Sequence, residues 1–182
     1  VIDSLTPPAR GLWMRWPTAA ALALIATLLW RYAAYVQTQE ASVASRLIRT
    51  LGMASWAKPH APILTIGHLE KVFALNVTVE CTVAYVLGAF FLLGAIVTAC
   101  QNSPARVLRA LVGVTVAALV FVGVNQLRII GIAVSIHHWG MGGYRMSHQF
   151  LGTLVSMFGL GLACCVLLLA LGRGGRAERP IM

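Results

Sequence analysis

Cys81, Arg128 and His148 carry the groups in this chain best suited to chemistry. Each lies in or beside an apolar run long enough to cross a bilayer, where ionisable side chains are costly and usually have a task. A thiol is a strong nucleophile only as thiolate, a form that a nearby imidazole and guanidinium both favour. His148 could take the thiol proton and return it to a leaving amine. Arg128 keeps its charge at all relevant pH and could hold an oxyanion, a peptide carbonyl or a carboxylate. Asn125, one helical turn before Arg128, shares its face and could hydrogen-bond either neighbour. Together these are parts for cysteine-based acyl transfer. Each residue also has a plainer reading. Cys81 could be a small packing residue, Arg128 could pair with Glu80 or snorkel to headgroups, and His148 could be an interfacial histidine.

The elements that must position these groups are membrane helices. The chain has 182 residues, 59% hydrophobic and 10% charged, with a formal net charge of +9. Soluble domains run closer to about 45–50% apolar and 25% charged. The apolar runs are continuous instead of alternating, which predicts an all-α, polytopic transmembrane bundle and not a barrel. The length suits one integral membrane domain over 1–182 with about four spans. These fall near 17–36, 81–99, 107–136 and 148–171. The cations cluster at the ends of apolar runs, as orientation signals and lipid contacts do. No basic stripe interleaved with aromatics points to nucleic acid.

The segment before Trp16 reads as a short cytoplasmic tail with Arg10 and Arg15. The first span is read as an uncleaved anchor with Trp16, Trp30, Tyr32 and Tyr35 at its ends. A signal peptide cleaved near Ala41-Ser42-Val43-Ala44 is the competing reading. Between Gln37 and Glu80, the stretch Ala41–Trp56 places Val43, Leu47, Ile48, Leu51 and Ser55 on one face, which predicts a helix lying in the membrane surface. After Pro59 and Pro62 the period changes. Phe73 to Glu80 alternates, and Ile63–Ile66 with a turn over Gly67–Lys71 completes a short β-hairpin running into Cys81. Gln101 to Pro104 is a turn, and His137–Ser147 reads as a Gly-rich loop. Gly88, Gly94, Gly123, Gly152 and Gly159 read as close-packing positions.

Arg10, Arg15, Arg106, Arg109 and the terminal Arg173, Arg176 and Arg179 fall on one side of a four-span topology, which places both termini in the cytoplasm. Cys81 then opens the second span, and His148 the fourth, at their outer ends. Arg128 lies about 30 Å along the third span from Val107, close to one hydrocarbon thickness. Three separate segments so bring the three groups to one depth at the extracytoplasmic face. Cys100, Cys164 and Cys165 fall toward the other side, leaving Cys81 without a disulfide partner. His137 and His138 could join His148 at a metal, but adjacent histidines diverge on a helix and no acid lies near, so no metal or other cofactor is expected. Asn76-Val77-Thr78 matches a glycosylation sequon that leads into the membrane, and no CxxC pair suggests redox chemistry.

Glu80-Cys81-Thr82, Asn125-Gln126-Leu127-Arg128-Ile129 and Ser147-His148-Gln149-Phe150-Leu151-Gly152 resemble the three motif blocks of the exosortase/archaeosortase family. The resemblance covers about 64–162, and the order and spacing of Cys, N-x-x-R and His are more specific together than any block alone. It implies a membrane cysteine transpeptidase of a short form. Its partners would be exported proteins whose C-terminal signal joins a motif, an apolar helix and a basic tail. Cys81 would be the nucleophile, Arg128 the catalytic arginine and His148 the acid/base, with Glu80, Thr82 and Asn125 in supporting or substrate contacts. The chain departs from the common pattern at Thr82-Val83, where many members have Ser-Gly followed shortly by an Arg. The location expected is a prokaryotic plasma membrane. A non-enzymatic assembly or transport subunit built around an Arg128–Glu80 pair is the alternative.

Overall fold

The computed structural model of the chain describes residues 12–68, 71–78 and 81–172. The order is α1 (Leu12–Arg31), α2 (Ala33–Thr50), β1 (Ser55–Ala57), β2 (Ile63–His68), β3 (Lys71–Asn76), α3 (Ala84–Ala99), α4 (Pro104–Arg145), a π-helical turn (Met146–Leu151) and α5 (Gly152–Gly172). The molecule is mostly helical with one small antiparallel sheet, ordered β1-β2-β3. Glu70, Glu80 and the arginines at 10, 173, 176 and 179 lie outside the described residues.

Two helical stretches, Pro104–His148 and Gly152–Ala170, are long and apolar enough to cross a membrane. A third candidate is the pair α1 and α2, bent by 78° at Tyr32, which reaches that threshold only in combination. The apolar run of this pair ends at Val36, ahead of Gln37, Gln39 and Glu40. Helix α3 is equally apolar but has 16 residues, short of a full crossing. The outward faces of these helices are greasy, with Leu24, Ile96, Leu119 and Leu168 all exposed. α4 packs most extensively on α5, and α1 on α3. Small residues permit close approach: a Cβ on Gly88 would strike the Trp30 indole between α3 and α1, one on Gly159 would strike Val124 between α5 and α4, and one on Gly94 would strike Val114 between α3 and α4. Gly123 faces open space, so the packing role expected for it is absent.

The residues between α1 and α3 form a cap on one end of α4. Helix α2 stops at Thr50, short of the expected Trp56, because Gly52 takes φ +81°. The Gly52 and Met53 N–H groups fold back onto the Arg49 and Ile48 carbonyls, closing the helix with a Schellman motif. Ser55 and Trp56 thus belong to β1 and not to a helix. The expected hairpin exists, with Ile63 opposite Asn76 and Ile66 opposite Phe73, but pairing extends to Gly67 opposite Val72 and His68 opposite Lys71 where a turn was expected, and β3 ends at Asn76 and not at Cys81. Strand β1 adds a third strand through Ser55 opposite Ile66. A three-stranded sheet this small needs a partner to be stable. Ile48, Leu64 and Ile66 are fully buried against Ile129, Ile132 and Ile136 of α4. The face of α2 turned inward is Gln37, Glu40, Ala41, Ala44 and Ile48, while Val43, Leu47 and Leu51 point outward.

Where a loop was expected at His137–Ser147, the chain is helical on both sides of a sharp break at Gly140 (φ 58°, ψ −138°). This conformation is open almost only to glycine. The chain doubles back there, so that Gly143 meets the Ser135 carbonyl. The glycines read as a loop signal because of their poor helix propensity, but only Gly140 departs from helical geometry.

Candidate active site

Cys81 sits in the turn between β3 and α3. Its N–H donates to the Thr78 carbonyl at 2.9 Å, and the Thr78 hydroxyl points at its sulfur at 3.5 Å. The residue is 8% exposed and belongs to the buried cluster of the cap, together with Ile129. Val83, two residues on, belongs to a separate cluster in the bundle with Leu87, Phe90 and Phe121. Cys81 therefore lies where cap and bundle meet.

A polar layer fills that junction. The Asn125 side-chain amide donates to the Cys81 carbonyl at 3.0 Å and to the Glu40 carboxyl at 2.9 Å. The same carboxyl accepts from the Thr82 hydroxyl at 2.6 Å and from the Val83 N–H at 3.1 Å. Thr82 in turn accepts from the Ala84 N–H at 3.3 Å, which anchors the first turn of α3. Glu40, Thr82 and Asn125 are all buried. Burial pushes the Glu40 carboxyl above the ordinary carboxylate range, against the opposing pull of the Thr82, Val83 and Asn125 hydrogen bonds.

Arg128 is one turn beyond Asn125 on α4. Its Nε is buried with no hydrogen-bond partner among the described residues. The guanidinium lies against Gly152, where a Cβ would come within 3.0 Å of Nε and 3.5 Å of Nη2. Gly152 is the first residue of α5, one turn after His148. His148 stands in the π-helical turn, its ring edge-on to Tyr144 with centroids 5.0 Å apart. Ser147 is fixed by its hydroxyl on the Gly143 carbonyl at 2.6 Å. The contacts thus run from the Cys81 turn to Asn125, along α4 to Arg128, and from Arg128 to the start of α5 beside His148. A cavity of about 420 Å³ opens next to this turn, lined by Ser135, Trp139, Gly142, Gly143, Met146 and Ser147.

Thr82 and Asn125 lie in the polar layer beside Cys81, while Glu80 and any Glu80–Arg128 pair lie outside the described residues. His137 is committed elsewhere: its Nδ1 lies 2.9 Å from the Gly67 carbonyl and ties α4 to β2. No group of three His, Cys, Asp or Glu side chains that could hold a metal occurs among the described residues. Cys100, Cys164 and Cys165 are free and exposed.

Glu40 is not among the residues that the sequence motifs single out. A signal for it exists. It is the one acid of α2, and it repeats with Gln37, Ala41, Ala44 and Ile48 at helical spacing, a small-residue face fit for burial against protein.

The model of a family described as transmembrane exosortase matches residues 6–169. No curated protein and no solved structure matches the chain.

Proposed function

Since this chain belongs to the transmembrane exosortase family, we propose that it is a membrane-embedded cysteine transpeptidase that cleaves a C-terminal sorting signal from exported proteins. The observation that carries the reading is the chain of contacts around Cys81. Its carbonyl is held by Asn125, and Arg128, one turn further on, rests against the start of α5 beside His148. This arrangement supports the three groups acting on one substrate carbonyl.

In the proposed reaction Cys81 gives up its proton to His148 and attacks the scissile carbonyl. Arg128, whose Nε lacks a protein partner among the described residues, receives the developing oxyanion. The tetrahedral intermediate collapses to a thioester on Cys81, and His148 returns the proton to the departing amine. The released product carries the apolar helix and the basic tail. An amine, another acceptor or water then attacks the thioester and frees the sulfur.

Strand β3 suits the recognition step. It is the last strand of the sheet, and the Val77 N–H pairs with the Pro62 carbonyl in continuation of its register. By the alternation of antiparallel ladders, the backbone groups of Val72, Ala74 and Asn76 point away from β2. An extended motif could add there as a further strand and arrive at Cys81. The substrate's apolar helix would lie in the bilayer against the bundle. In this reading α1, α3 together with the residues 81–83 that precede it, the first arm of α4 and α5 supply four crossings, and the cap and site face the extracytoplasmic side.

The test is co-expression with candidate substrates bearing a motif, an apolar helix and a basic tail. Wild-type enzyme should yield cleaved product and a mass-shifted acyl form at Cys81, and Cys81→Ala should yield neither. Complete processing by Cys81→Ala would end the reading.

A further inference from the structure

Glu40 is a buried carboxyl far in sequence from the motif residues. We propose that Glu40 is a positioning residue for Cys81, acting through the side-chain amide of Asn125. The proposal rests on the reading of Cys81 as the nucleophile.

One carboxyl oxygen of Glu40 accepts from both the Val83 N–H and Asn125 Nδ2, and the other accepts from the Thr82 hydroxyl. Every one of these bonds has the carboxyl as acceptor. Asn125 Nδ2 has a second contact, to the Cys81 carbonyl. An amide nitrogen has two protons in a fixed plane. Anchoring one on Glu40 therefore aims the other at Cys81. The carboxyl also grips the two residues that follow Cys81, so the turn is held on both sides. Glu40 is 5% exposed, and 85 residues separate it from Asn125. With the bonds made, the layer is satisfied. With Glu40 gone, three buried donors would lose their partner, and the turn would be free to shift.

What matters in this arrangement is the placement of acceptor atoms. Glutamine at position 40 keeps a carbonyl oxygen for Val83 and Asn125, and its amide can donate to the Thr82 oxygen. Aspartate keeps the carboxyl but withdraws both oxygens by one methylene. Misplacing a reacting group by about 1 Å can cost about 100-fold in rate. Glu40→Ala should therefore lower kcat for thioester formation by about 100-fold with little change in KM. Glu40→Asp should lose about 10-fold and Glu40→Gln no more than about three-fold, the ranking expected when acceptor geometry decides. The double variant Glu40→Ala/Asn125→Ala should be no slower than the worse single variant, because both act along one path.

The experiment measures single-turnover acylation of purified full-length enzyme by a substrate peptide, with each rate normalised to the Cys81 thiol titrated in folded protein. That normalisation separates positioning from loss of fold. Should Glu40→Ala fail to accumulate, the Asp and Gln variants still decide the matter. Wild-type acylation by Glu40→Asp, a rate for Asp above that for Gln, or multiplicative losses in the double variant would each overturn the proposal. Cys81→Ala is the control. Continued cleavage by that variant removes the site itself, whereas its inactivity beside fully active Glu40 variants removes only the positioning role.

Discussion

Asn125 and Gly152 hold the side chains proposed to react, Cys81 and Arg128, without a proposed reactive role of their own. Asn125 connects the Cys81 turn to α4, and Gly152 leaves the volume that the Arg128 guanidinium occupies. A methyl group at 152 would meet Arg128 Nε and the Ser147 carbonyl, each at 3.0 Å. The arginine is the part able to move, while alanine gains up to about 1 kcal/mol over glycine in helix propensity. Gly152→Ala should thus remain folded with a melting temperature close to wild type, and yet cleave about 10-fold more slowly, since a displaced charge stabilises an oxyanion less. Unaltered cleavage by this variant would mean that Arg128 does not need its observed position. The residues visible at this scale from sequence were those in the motif blocks. Glu40 was not, because its partners at 82, 83 and 125 become neighbours only when α2 folds onto the bundle.

The elements divide into those written in local sequence and those imposed by neighbours. Gln101 to Pro104 reads as a turn ahead of a span near 107, and α4 starts slightly earlier, at Pro104, with the Ser103 side chain accepting from the Arg106 N–H at 3.4 Å. The alternation around Phe73 announced a strand, and β3 is there. The stretch His137–Ser147 misled, because three glycines, Gly140, Gly142 and Gly143, suggest coil while the backbone stays helical around one break. Gly140 is the hinge on which that element depends. Open space surrounds it, the nearest atom to an added Cβ being Phe73 Cζ at 4.0 Å. Its substitution would therefore act through the backbone alone. Gly140→Ala should destabilise the protein by about 1–3 kcal/mol, seen as a lower melting temperature in detergent. It should also reduce cleavage if His148 acts as proposed, because the break at Gly140 sets the path of the chain to that residue. A melting temperature equal to wild type would show that another conformation serves as well.

At the scale of the whole molecule, an apolar bundle carries a small mixed cap, and the polar layer of Glu40, Thr82 and Asn125 lies between their two cores. The proposed orientation puts the cap outside and the α3–α4 turn inside. In a background with Cys81 replaced by alanine and Cys100, Cys164 and Cys165 by serine, Lys58→Cys should react with a membrane-impermeant maleimide on intact cells, and Asn102→Cys should react only after lysis. The reverse pattern would invert the topology and place the site in the cytoplasm. Composition and hydropathy determined by themselves that this is a helical membrane protein, and the motif spacing selected its family, because both signals are carried by the types and order of residues. Which face of α2 turns inward was not determined that way. Val43, Leu47 and Leu51 read as the membrane face of a surface helix and do point away from the protein, whereas Ile48, expected on the same face, is buried and the side with Gln37 and Glu40 is covered. The reason is that water and lipid both compete for the surface. An apolar stripe on a membrane protein has two favourable places to go, lipid or core, and a buried carboxyl has one, against matching donors. Only the assembled structure, which supplied those donors from α3 and α4, decided between them.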